Sequence, residues 1–184
     1  MGLINSFRAA RRTADVSNTL YLAAVDQARS PTFFVNLGVP DTVDGRFDLI
    51  IIHIMLLVRR LRHQGEEAAD INQALLNLMF ADMDRNLREM GVGDLSVGRQ
   101  VKKMAKAFYG RAETWEAAID KGADEVIGAL SETVYRAVEA EPEAISCLAS
   151  YVMAADTHLA GQTIEALVQG AADFPTPQNQ KPAA

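Results

Sequence analysis

The sequence predicts an all-α fold: a single-domain, non-coiled-coil bundle of about seven or eight helices. Three observations carry this. Apolar residues recur at three- and four-residue spacings along most of the chain. No stretch alternates convincingly as a strand would, and no internal repeat is visible. The breaks between periodic segments fall on glycine and proline. At 184 residues with 49% hydrophobic content, the chain has enough apolar surface for one core of its own.

The first element, Met1–Arg12, is a short basic amphipathic piece, with Leu3, Ile4 and Phe7 on one side and Arg8, Arg11 and Arg12 on another. One turn of apolar residues supports only weak peripheral contact with an anionic membrane. Residues 1–14 are therefore set apart from a helical domain over residues 15–170. Asp15–Arg29 follows as a helix with Val16, Leu20 and Ala23/Ala24 on one face. Ser30-Pro31 has the pattern of an N-cap with proline at the first helical position, opening a short helix that ends at Gly38. Val39–Gly45 is a turn-rich connector, and Arg46–His63, apolar almost all round, should be the central helix, stopped by Gly65.

Asp70-Ile71-Asn72-Gln73 resembles a capping box for a helix whose stripe is Ile71, Leu75, Leu78, Met79, Met83, Leu87 and Met90. Gly91 suits its C′ position. A basic helix then runs from about Val97 to Tyr109, with Gly110 interrupting or kinking it before Ala112–Lys121. Asp124–Ala140 is next, and Pro142 opens a last long helix to about Gln169, closed by Gly170. Residues 171–184, which end in FPTPQNQKPAA, have little to bury and are expected to be disordered.

The formal charge of −6 is unevenly spread: residues 1–111 carry 15 basic and 12 acidic side chains, residues 112–184 carry 3 and 12. The overall sign argues against a general nucleic-acid binder, so DNA is not expected as a partner. The single Cys147 excludes an internal disulfide framework and favours a reducing compartment. The longest apolar run, Leu49–Val58, is half the length a membrane span needs, and no secretory leader is evident. A cytoplasmic location, at the inner face of the cytoplasmic membrane, is the expectation.

No catalytic residues, metal or cofactor are predicted. Asp82 and Asp84 lie two apart on a helix and cannot converge, so Asp84 should pair with Arg88, and Arg85 with Glu89. None of the three histidines has Glu three residues before it, as a di-iron bundle requires. His53, amid Leu49, Ile50, Ile54 and Leu57, should be buried and hydrogen-bonded, and His158 shares a face with Tyr151. Nucleophile-elbow, phosphate-loop and dinucleotide fingerprints are missing.

One chemical feature remains. Arg99, Lys102, Lys103 and Lys106 fall at i, i+3, i+4, i+7, with Tyr109 continuing the face at i+3 from Lys106 and Arg111 just past the helix. Val97, Val101, Met104, Ala105 and Phe108 take the opposing stripe. This is a surface for contact with phosphates or a polar segment, and the acidic C-terminal third is a candidate counter-surface within the chain.

Together, LYLAAVDQARSPTFF (Leu20–Phe34), GVPDTVDGRFDLIIIH (Gly38–His53) and MFADMDRNLREMGVGDLSVGRQVKKMAKAFYGR (Met79–Arg111) resemble the ubiquinol–cytochrome c chaperone family over about residues 20–121, in the form of a bacterial member. The resemblance implies a non-enzymatic, all-α assembly factor for the cytochrome bc1 complex. Its mitochondrial members hold newly made cytochrome b near the ribosomal tunnel exit with a second assembly factor. Matching positions are Arg46, Asp48, His53, Asp84, Arg88, Asp94, Lys102, Lys103, Tyr109 and Arg111. The partner-binding set drawn from the stripe and the resemblance is Asp84, Arg88, Arg99, Lys102, Lys103, Lys106, Tyr109 and Arg111, with Arg46, Asp48 and His53 as pocket or structural residues. A holder of unassembled membrane segments needs an adaptable apolar groove beside charge, and Met79, Met83, Met90 and Met104 are its candidates. The alternative is a helical carrier of haem, quinone or lipid with a pocket near His53.

Overall fold

A computed structural model describes residues 2–177, with the side chains of 7–94 and 96–177. Within them the chain forms eight helices: α1 (Gly2–Ala28), α2 (Pro31–Val35), α3 (Val43–Leu61), α4 (Glu66–Glu89), α5 (Asp94–Lys121), α6 (Ala123–Thr133), α7 (Pro142–Ala160) and α8 (Ile164–Leu167). No strand occurs among the described residues.

The central helix is α3, whose Leu49, Ile51, Ile52, Ile54, Met55, Leu56 and Leu57 are all buried. It packs against α1, α4, α5 and α7, which accounts for its nearly unbroken apolar surface. The helix starts three residues earlier than expected because Thr42 caps it, its hydroxyl accepting a hydrogen bond from the Gly45 N–H at 3.1 Å. Gly45 is needed there, since a Cβ would stand 2.0 Å from the Pro40 carbonyl oxygen. At the other end, Arg59 bonds Asp156 at 3.0 Å and Asp120 at 2.6 Å. Arg62 grips Glu116 through both terminal nitrogens, at 2.7 and 2.8 Å. The acidic C-terminal third thus serves α3, and is not the counter-surface of the α5 cations.

Several boundaries differ from the sequence expectation, each for a local reason. No helix boundary falls between residues 14 and 15: α1 is continuous, with neither glycine nor proline between Arg12 and Asp15. Asp70 does not cap α4, which already begins at Glu66 after Gly65, a residue at φ +97°. Gly110 does not interrupt α5. An exposed helical glycine costs only about 1 kcal/mol, and Phe108, Ala112 and Trp115 on either side are buried. The last long helix stops at Ala160, and a fresh cap by Thr163, accepting from the Ala166 N–H at 3.2 Å, starts α8. After Thr133 the chain turns, so α6 does not reach Ala140.

The C-terminal expectation is corrected for residues 171–177. Phe174 packs edge-on against the His53 ring at 5.1 Å, and Gln162 holds Asp173 through both its amide groups, at 2.7 and 3.0 Å. The Pro175 carbonyl accepts from Gln27 at 2.9 Å. Residues 178–184 lie outside the described residues.

Candidate binding groove

The helical repeat places three stripes around one open groove of about 630 Å³. From α4 come Met79, Asp82, Met83, Asn86, Leu87 and Met90; from α5, Gln100, Lys103, Met104, Ala107 and Arg111; from the start of α3, Val43, Asp44, Arg46, Phe47 and Ile50. Each set recurs at three or four residues, so each is one face of its helix. Tyr21, Ala28 and Arg29 add a wall at the end of α1, and Arg136 comes in after α6. All four methionines anticipated from periodicity line this groove. Met79 and Met83 are buried, Met104 is half-buried and Met90 is 57% exposed, so the wall runs from core to surface.

Beneath the groove lies a carboxylate with no solvent exposure, Asp48. Arg111 pairs with its Oδ1, and Arg136 donates to its Oδ2 at 2.6 Å while reaching Asp44 at 3.2 Å. Burial pushes the Asp48 carboxyl above its ordinary range, opposed by the hydrogen bond from Arg136 and the charge of Arg111. A buried charge so expensive to desolvate holds its place only with both partners present. Arg111 therefore leaves the basic stripe it was assigned to and turns inward, with its guanidinium 5.9 Å from the Phe47 ring centre. Arg46 stands on the groove wall, bonded to Asp41 at 2.6 Å and stacked over Phe34 at 5.0 Å.

The other walls are fixed similarly. Tyr21 donates to Asp82 at 2.8 Å, and burial followed by that bond raises the phenol above its ordinary range. Asp82 also takes Arg85, so Arg85 pairs three residues back and not with Glu89. Arg88 bonds Asp84 at 2.6 Å, as the i, i+4 spacing anticipates, and also pairs with Asp94. Those three side chains staple the turn between α4 and α5.

Arg99, Lys102 and Lys106 are exposed on the outside of α5 and make no salt bridge among the described residues. Lys103 is the stripe member that lines the groove. Tyr109 is 55% exposed beside Phe108 and Phe80, with ring centres at 5.2 and 6.2 Å.

His53 is not part of the groove. Its Nδ1 lies 2.7 Å from the Leu49 carbonyl and its Nε2 lies 2.7 Å from the Tyr151 hydroxyl. A carbonyl can only accept, so Nδ1 carries the proton and Nε2 accepts from Tyr151. That hydroxyl in turn accepts from Gln27 at 3.0 Å. Both ring nitrogens are engaged, which removes His53 as the centre of a ligand pocket. Burial lowers its pKa to about 4, against a smaller rise from the Leu49 bond. Tyr151 is thus the partner of His53 and not of His158, which bonds Asp173 at 3.1 Å.

Sequence reasoning missed Tyr21, Arg29, Asp44, Phe47 and Arg136 as groove residues. No spacing signal finds them, because they reach the groove from segments distant in sequence.

Fold and site together define a class: an all-α protein bearing an open methionine-lined groove seated on a buried arginine–carboxylate cluster. Among known families, the one described as Ubiquinol-cytochrome C chaperone matches residues 35–174, and this chain belongs to it. The chain is similar to ubiquinol-cytochrome c reductase complex assembly factor 1 of Mus musculus, 21% identical over 133 residues that span 72% of this chain and 45% of the relative. The Homo sapiens counterpart is also 21% identical over 133 residues, covering 72% and 44%. The chain thus spans less than half the length of these curated relatives. A crystal structure of the Cbp3 homolog from Brucella abortus matches with a TM-score of 0.86 at 30% identity, covering 96% of this chain and 98% of that one.

Proposed function

We propose that this protein is an assembly chaperone for the ubiquinol–cytochrome c reductase complex, without enzymatic activity of its own, and that its groove holds newly made cytochrome b. One observation carries the assignment of the site: the four methionines of α4 and α5 line a single open groove within the residues matched by the chaperone family. Unbranched, polarizable side chains repack around different apolar partners, which suits a holder of unassembled membrane segments. The similarity to mammalian assembly factors of that complex supports the wider role. In this reading the exposed face of Arg99, Lys102, Lys106 and Tyr109 is a second contact surface, available to another assembly factor, the ribosome or an anionic membrane. The chain would work at the cytoplasmic face of the inner membrane. No helix among the described residues is long and apolar enough to cross a membrane. A haem, quinone or lipid carrier centred on His53 is not favoured, because that imidazole has no free nitrogen.

The test is a strain dependent on this chain in which Met90→Glu and Ala107→Glu are combined. Both positions line the groove and neither is fully buried, so folding should persist by circular dichroism and thermal midpoint. The expected result is a loss of assembled complex in membrane spectra and of cytochrome b from pull-downs. Normal levels of both, with a folded variant, would refute the groove as the holding site.

A further inference from the structure

Resting on that reading, we infer that the groove selects one kind of segment: about three turns of apolar helix bounded by acidic residues at the end nearest the α4–α5 turn. Length comes first. From Met79 to Met90 the α4 wall advances eleven residues, about 16 Å at helical rise. A bilayer core is about 30 Å thick, so the groove covers roughly half of a spanning helix and leaves the rest outside. The occupant is one end of such a helix, including the residues that flank it in the polar layer.

Charge supplies the direction. Each carboxylate on the groove wall already has a cation: Asp82 has Arg85, and Asp44 has Arg136. Arg111 and Arg136 are in turn engaged by Asp48. Arg29 and Lys103 are exposed on the wall and form no salt bridge among the described residues. α1 runs alongside α4 in the same direction, with Arg12 on Glu67, Ser17 on the Ile71 carbonyl and Tyr21 on Asp82, so Arg29, eight residues past Tyr21, stands towards the α4–α5 turn. Lys103 stands eight residues from Arg111 along α5, about 12 Å towards the α4–α5 turn. One end of the groove is therefore neutralised from within and the other carries surplus positive charge. An apolar helix with a glutamate or aspartate flank complements both ends, whereas a lysine- or arginine-flanked helix is repelled.

The experiment uses the full chain and two fluorescein-labelled peptides of about 14 residues, sharing one Leu/Ala helical core, about three turns long. One ends in Glu-Glu and its sister in Lys-Lys, and binding is read by anisotropy at low salt. The acidic peptide should bind more tightly, on the order of fivefold for two exposed pairs, with the difference shrinking as salt rises. Arg29→Glu combined with Lys103→Glu should reverse the preference, and its thermal midpoint shows whether it folds. Should it not fold, Lys103→Ala alone must narrow the difference. Equal binding of both peptides, or a preference unmoved by these variants, overturns the inference. It would leave the chaperone reading intact, since that stands on complex levels in the Met90→Glu, Ala107→Glu strain. Haem or anionic vesicles displacing neither peptide is expected; binding of those with no peptide binding also overturns it.

Discussion

His53 makes the protein's stability depend on pH in a calculable way. The ring is buried, neutral and fixed between the Leu49 carbonyl and the Tyr151 hydroxyl, and its pKa is lowered to about 4. In the unfolded chain the same imidazole titrates near its ordinary value of 6.5. Between those values the unfolded state binds the proton and the folded state does not, so stability rises with pH there. The contribution is complete above about pH 6.5 and is lost as pH falls towards 4. Lowering the pH from 7 to 5 should cost about 2 kcal/mol from this group alone, out of roughly 3 kcal/mol for the whole shift. The assay is urea unfolding at pH 7 and pH 5 of the wild type and of His53→Gln, which keeps a donor and an acceptor but does not titrate. Taking the difference cancels the other histidines and the carboxylates. His53→Gln should be clearly less stable at pH 7, and its deficit should shrink by about 2 kcal/mol at pH 5. A deficit equal at both pH values would refute the buried, neutral imidazole.

Other expected outcomes follow from the same structure. Gly45→Ala forces a Cβ to 2.0 Å from the Pro40 oxygen and should lower stability by about 1–3 kcal/mol in thermal unfolding. Gly110→Ala, with nothing within 4 Å, should instead raise it by about 0.5–1 kcal/mol. Asp48→Ala strips two arginines of their shared carboxylate and should cost about 3–5 kcal/mol by denaturant midpoint, with Asp48→Asn milder. Lys102→Glu with Lys106→Glu, both on the exposed outer face, should leave the thermal midpoint unchanged while lowering recovery of the reductase complex, read from membrane haem spectra.

The methionine wall was legible because a helix repeats every 3.6 residues, so Met79, Met83 and Met90 had to share a face wherever that face pointed. The pairing of Asp84 with Arg88 was legible for the same reason. Arg111 shows where this reasoning fails. It follows the basic stripe in sequence, but the charge that claims it is Asp48, and nothing in the local pattern names a carboxylate 63 residues away. Gly110 failed in the opposite sense: a glycine reads as a break, while buried neighbours on either side keep the helix whole.

By itself, the sequence determined the helical class, the order of the elements, the central place of α3 and the resemblance to the chaperone family. These rest on i to i+4 relations that close within a few residues. Only the tertiary structure decided which polar groups meet. Arg136 finds Asp48 across 88 residues, Tyr151 finds His53 across 98, and Gln27 holds Pro175 across 148. Such partners are chosen by burial, because a charge or an imidazole withdrawn from water must take whatever complementary group the packing of the helices brings within reach.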